Sequence, residues 1–172
     1  MALLLLTACA QWMGPRTYVI SPQDIQRRVA RKFPIERDAL GFFKVAFDHP
    51  QVTLLPQADR IATAVDFHAT EGLLHHALTG TLTLSFGLAY DPTRQAVTMH
   101  DVNVDRLDLQ GLAPPIRDAL QAWSAALLPQ LLEGGVVHQF KPADLQRADA
   151  LGYAVGAIDV TQEGLVVRLV AK

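Results

Sequence analysis

The stretch from His76 to Tyr90 constrains the fold more than any other. It reads His-Ala-Leu-Thr-Gly-Thr-Leu-Thr-Leu-Ser-Phe-Gly-Leu-Ala-Tyr, with Leu78, Leu82, Leu84, Phe86, Leu88 and Tyr90 at even positions. The odd positions carry Thr79, Thr81, Thr83, Ser85, Gly87 and Ala89. A period of two held over the whole run makes a strand with one apolar and one small, polar face. At ~3.3 Å per residue it reaches roughly 45–50 Å, where an ordinary strand reaches roughly 17–20 Å. In a chain of 172 residues such a strand must curl around something. What lies against its Leu/Phe face is the functional question.

The composition narrows the alternatives. Half the residues are hydrophobic and 19% are charged, with a net charge of −2. That excludes a disordered chain and leaves no overall basic excess for nucleic acid. No apolar run approaches the ~18 residues of a transmembrane helix. Ser21, Ser85 and Ser124 lack a nucleophile elbow. His75 and His76 are adjacent, while His49, His68, His100 and His138 are scattered with no pair at helical ligand spacing. We therefore expect no enzyme activity, no cofactor and no metal site.

The single cysteine, Cys9, follows Leu3-Leu4-Leu5-Leu6-Thr7-Ala8. A short leucine run, two small residues and then Cys is the pattern of a bacterial lipobox, in which the thiol carries lipid. The hydrophobic run begins straight after Met1 without a basic n-region. Residues 1–9 are thus expected to be a signal segment, 10–17 a tether and 18–172 one domain. Eight tether residues span at most ~28 Å, which keeps the domain near its membrane. Ala10 after Cys9 points, by resemblance to bacterial lipoprotein sorting, to the periplasmic side of the outer membrane.

The domain opens with a helix. Ser21 is its expected N-cap, Pro22 suits the first turn and Asp24 completes a capping-box-like pattern. Ile25, Val29 and Phe33 form its buried stripe, and Pro34 ends it. Arg27, Arg28, Arg31 and Lys32 lie on the other side, a basic patch placed to meet anionic headgroups. Alternating strands follow over Phe43–Leu54 and Ile61–His68. The first changes parity at His49-Pro50, which predicts a bulge. After the long strand, Asp91-Pro92-Thr93-Arg94-Gln95 reads as a hairpin loop. The return strand changes parity at His100-Asp101 and again before Leu107, which predicts two bulges and strong curvature. A long helix runs from Pro114 to about Glu133, with Ile116, Leu120, Trp123, Leu127 and Leu131 as its apolar stripe. A strand near Val136, a short helix from Pro142 and a hairpin over Tyr153–Val170 complete the chain. The fold class is α+β, a strongly curved antiparallel sheet wrapped around one long helix, with an additional N-terminal helix.

This order of motifs resembles the YceB-like bacterial lipoproteins. The resemblance rests on Tyr18-Val19-Ile20, Pro50-Gln51-Val52-Thr53-Leu54, Gly80-Thr81-Leu82-Thr83-Leu84 and Leu88-Ala89-Tyr90-Asp91. It extends through the Leu-rich end of the long helix to Ile158–Val167. That family is similar to the tubular lipid-binding (TULIP) superfamily. The relation implies a helix cradled by a curved sheet, with an apolar cavity between them that takes acyl chains. The residues expected to line it are Leu82, Leu84, Phe86 and Leu88 from the strand, and Ile116, Leu120, Trp123 and Leu127 from the helix. Gly80, Gly87, Ala119 and Ala126 are expected to leave room. The implied partners are a lipid or fatty-acyl ligand and a membrane held through acylated Cys9. The alternative is a scaffold lipoprotein with a filled core. In cells fed radioactive fatty acid, the wild-type protein is expected to label and Cys9→Ser to stay unlabelled; equal labelling of both overturns the anchor.

Overall fold

The computed structural model describes residues 16–39, 43–71 and 77–172. The signal segment, Cys9 and most of the expected tether lie outside the described residues, as do His75 and His76. The elements in chain order are β1 (Arg16–Ile20), α1 (Pro22–Ala30), β2 (Ile35–Ala39), β3 (Phe43–Leu55), β4 (Arg60–Glu71), β5 (Ala77–Asp91), β6 (Ala96–Gln110), α2 (Pro114–Leu132), β7 (Val136–Gln139), α3 (Pro142–Ala150), β8 (Tyr153–Val160) and β9 (Leu165–Ala171). Six strands form one strongly curled antiparallel half-barrel in the order β2-β3-β4-β5-β6-β7. The other three form a small sheet, β1-β9-β8. Arg16 and Thr17, Thr17 being read from sequence as the end of the tether, belong to β1 and pair with Leu169 and Arg168 of β9, respectively. Among the described residues no helix is long and apolar enough to cross a membrane.

The long strand is β5, 15 residues, and its alternation holds in three dimensions. Leu82, Phe86 and Leu88 are buried on the concave side of the sheet with Ile61, Val65 and Phe67 of β4. All three expected bulges are present. The ladder between β3 and β4 shifts between Asp48 and Gln51. That between β5 and β6 shifts at two places, one leaving Asp105 as an extra residue and one between His100 and Asn103. Each extra residue in β6 increases local twist and bends the strand. Between them they return Val102 and Val104, then Leu107 and Leu109, to the same concave side as Val97.

Side chains complete these irregular places. Gln26 of α1 spans the β3 bulge: its Nε2 donates to the Pro50 carbonyl at 2.6 Å, and its Oε1 accepts the Val52 N–H at 2.8 Å. The N-terminal cap forms as expected, with the Asp24 N–H donating to Ser21 Oγ at 3.2 Å. The 91–95 loop is closed by Asp91, whose carboxylate accepts from the Thr93 and Arg94 N–H groups.

The glycines of β5 are filled, contrary to expectation. A Cβ on Gly80 would lie 2.0 Å from the Asp108 carbonyl oxygen and 2.8 Å from the Phe67 ring. One on Gly87 would lie 2.4 Å from the His100 ring. Both glycines exist because neighbours already occupy the space, so they leave no room for a ligand. Gly80→Ala must push backbone as well as an aromatic ring. It is expected to destabilise by about 1–3 kcal/mol or more, read as a lower urea midpoint.

Candidate functional site

The concave side of the half-barrel divides into two apolar regions. Toward the 88–97 end, Phe86, Leu88, Val97 and Val102 are covered by Ile158 and Val160 of β8 and Val167 of β9, and all are buried. Toward the other end the buried hydrophobic cluster among the described residues is Val65, Phe67 and Leu82. Around them Phe33, Phe47, Leu78, Leu84 and Leu107 stay partly exposed. The small sheet thus seals one half of the Leu/Phe face and leaves the other to Phe33 and to Leu128 of α2.

The long helix sits differently from the sequence expectation. It packs along β6, beyond the short reach of β7, which pairs only with Ala96–Thr98. An unpaired strand edge offers free N–H and C=O groups, and a side chain of α2 and that of its C-cap residue, Glu133, meet them. Gln121 Nε2 donates to the Leu107 carbonyl at 2.7 Å. The Glu133 carboxylate accepts from the Asp101 and Val102 N–H groups at 3.1 and 3.2 Å. The helix face turned inward is centred on Ser124, only 4% exposed, and brings Leu128 and Leu132 to the two apolar regions.

The predicted stripe is therefore split. Ile116 is 55% exposed, Trp123 56% and Leu131 72%. Leu120 and Leu127 are half-buried at the boundary. Leu82, Leu84, Phe86 and Leu88 share the concave side as expected, but Ile116 and Trp123 do not close over them. Ala119 and Ala126, expected to leave room beneath the helix, are exposed. The apolar arc of α2 is wide enough to serve two surfaces, and spacing alone assigns it to one. The signals that mark the true inner face are polar: Gln121, Ser124 and Glu133 sit where the helix meets a strand edge.

A separate open cleft of about 500 Å³ lies between β6 and the end of α2, lined by Arg60, Asp101, Asn103, Pro129, Gln130 and Glu133. Arg60 is held there by the Ser85 carbonyl at 2.8 Å, and Ser85 Oγ donates to Asp105 at 2.9 Å. These bonds tie down the second turn of curvature in β6.

The basic residues of α1 are all exposed. Arg27 pairs with Asp24, and Lys32 Nζ donates to the Val137 carbonyl at 2.8 Å, which fastens the end of α1 to β7. Beside them His138 packs edge-on against Phe140, ring centroids 5.0 Å apart. Burial, then the charges of Arg28 and Lys32, hold its imidazole below the usual histidine value, while Asp144 acts the other way.

No family model and no curated protein matches the chain. Among solved structures it is similar to the crystal structure of a lipopolysaccharide binding protein, at 15% identity and a TM-score of 0.33 over 86% of this chain. The match covers 45% of that protein, so the chain spans less than half of its length. A likeness at this level does not carry a ligand across.

Because the folded state disfavours the proton on His138, its contribution to stability is full above the unfolded value of about 6.5 and is lost as pH falls toward the folded value. An NMR titration is expected to place its midpoint below 6.5. Arg28→Gln with Lys32→Gln is expected to raise it part of the way, since burial persists.

Proposed function

We propose that the protein is a non-enzymatic lipoprotein, anchored through Cys9 on the periplasmic side of the outer membrane, that binds an acyl chain or similar apolar ligand on the concave side of its half-barrel. The observation that carries the binding site is the unequal covering of one continuous Leu/Phe face. Its upper half is sealed by β8 and β9, while Leu78, Leu84 and Phe47 around the lower half remain partly exposed. Apolar surface left open inside a curved sheet gains by covering. Each buried methylene is worth ~0.8 kcal/mol, so a partly enclosed chain gains several kcal/mol without a polar contact. The resemblance to YceB-like lipoproteins and the TULIP group supports the same reading. The basic face of α1, separated from the tether by the short strand β1, fits a domain held close to anionic headgroups.

The scaffold reading also has a specific observation behind it. Ile116, Trp123 and Leu131 form an exposed apolar flank on α2, and such patches mark contact surfaces. Native mass spectrometry and lipid extraction of the Cys9→Ser protein separate the two. Co-purified lipid is expected in that protein and absent from Leu84→Trp with Leu128→Trp, whose indoles fill the lower half, with the circular dichroism spectrum retained. An empty parent protein, or equal lipid in both, sinks the ligand reading.

A further inference from the structure

On the convex side of the sheet four side chains converge at the β3 bulge. Asp48 stands directly opposite Asp66 in the ladder. Like charges so placed destabilise a strand pair. Among the described residues no Lys or Arg lies within ion-pair distance of either carboxylate; their neighbours are two imidazoles. His49 Nδ1 is 2.9 Å from Asp48 Oδ1 and 3.6 Å from Asp66 Oδ2, and His68 Nε2 is 3.4 Å from Asp48 Oδ2.

The bulge creates this group. In an unbroken strand His49 and Asp48 point to opposite faces. Here His49 takes a left-handed conformation, φ 46°, within the register shift, and its ring comes to the side of Asp48. Bulges re-aim side chains in this way, and Gln26 holds this one from α1. On β5, Thr81 Oγ1 donates to Asp66 Oδ1 at 2.9 Å, which occupies one carboxylate oxygen and leaves Oδ2 toward His49. Ligating carboxylates carry such an outer bond.

We propose that Asp48, His49 and Asp66, whose ligand atoms lie within 4.8 Å of one another, form a binding site for a divalent transition-metal cation of the zinc type, with His68 against the second Asp48 oxygen at its side. One imidazole nitrogen and two carboxylate oxygens make a three-ligand set that zinc accepts, with a fourth position left for water. A dication also neutralises the facing carboxylates. Tetrahedral ligands at ~2.0–2.1 Å from zinc lie about 3.3–3.4 Å from one another. The 3.6 Å separation of His49 Nδ1 from Asp66 Oδ2 is close to that spacing, and the 2.9 Å contact of His49 with Asp48 Oδ1 has to open by a few tenths of an ångström. The site faces away from the apolar concave side, so it is independent of lipid binding. It clamps β3 to β4 at the point where their backbone ladder is interrupted.

Isothermal titration of the Cys9→Ser protein with zinc chloride tests this. One zinc per chain is expected, released by EDTA, with NMR shifts in the rings of His49 and His68 but not His138. His49→Ala with His68→Ala is expected to abolish binding. Asp66→Asn, which keeps the bulge and the side-chain shape, is expected to give the same loss, and Thr81→Val to weaken binding about tenfold. Unchanged affinity in the double-histidine or Asp66→Asn protein overturns the proposal. So does zinc binding that survives there and disappears in His75→Ala with His76→Ala.

Discussion

The two extra residues in β6 are the constraint on which the rest of the structure depends. Without them β5 and β6 would be a long, gently twisted ribbon, and Val102 and Val104 would alternate onto the wrong face. With them, Val102 and Val104 join Val97 on the concave side and Leu107 returns to it after the second, and the sheet closes far enough to be half-covered by a three-stranded sheet. The polar residues around these bulges are coupled to the same task. Arg60, Ser85 and Asp105 bond across one side of the curve, while Glu133 takes up the N–H groups of Asp101 and Val102 on the other.

Curvature also explains why the long helix lies where it does. Where β7 stops, β6 has a bare edge, and α2 is the element that covers it. Its inner face therefore needs hydrogen-bonding groups as well as leucines, and Gln121 and Glu133 supply them. The outward flank of the same helix keeps Ile116, Trp123 and Leu131, so the helix is apolar on two sides for two reasons.

Much of this was legible in the sequence. Alternation in β5, the three parity changes and the Ser21 cap are local signals, and each has a single physical meaning. The orientation of α2 was not legible, because an apolar arc that wide fits more than one facing. β2 was not legible either. Ile35-Glu36-Arg37-Asp38-Ala39 has no alternation and becomes a strand only because β3 offers it an edge. β1 was not legible for the same reason: its first two residues fell in the expected tether, and its partner lies at the far end of the chain. At the candidate sites, the Leu/Phe face could be read from β5 alone. The His49/His68 group could not, because it exists only once β3 and β4 are in register.

The pairing of β1 with β9 carries one more consequence. The first and last described strands lie side by side, from Arg16 opposite Leu169 to Ile20 opposite Leu165, so the ends of the domain are clasped across nearly its whole sequence. Closing so long a loop is entropically expensive and places this contact among the slow steps of folding. A growing chain can assemble the half-barrel from neighbouring strands as they emerge. Its lid cannot be seated until the final strand arrives, and until then the Leu88 end of the apolar face stays as open as the Leu78 end.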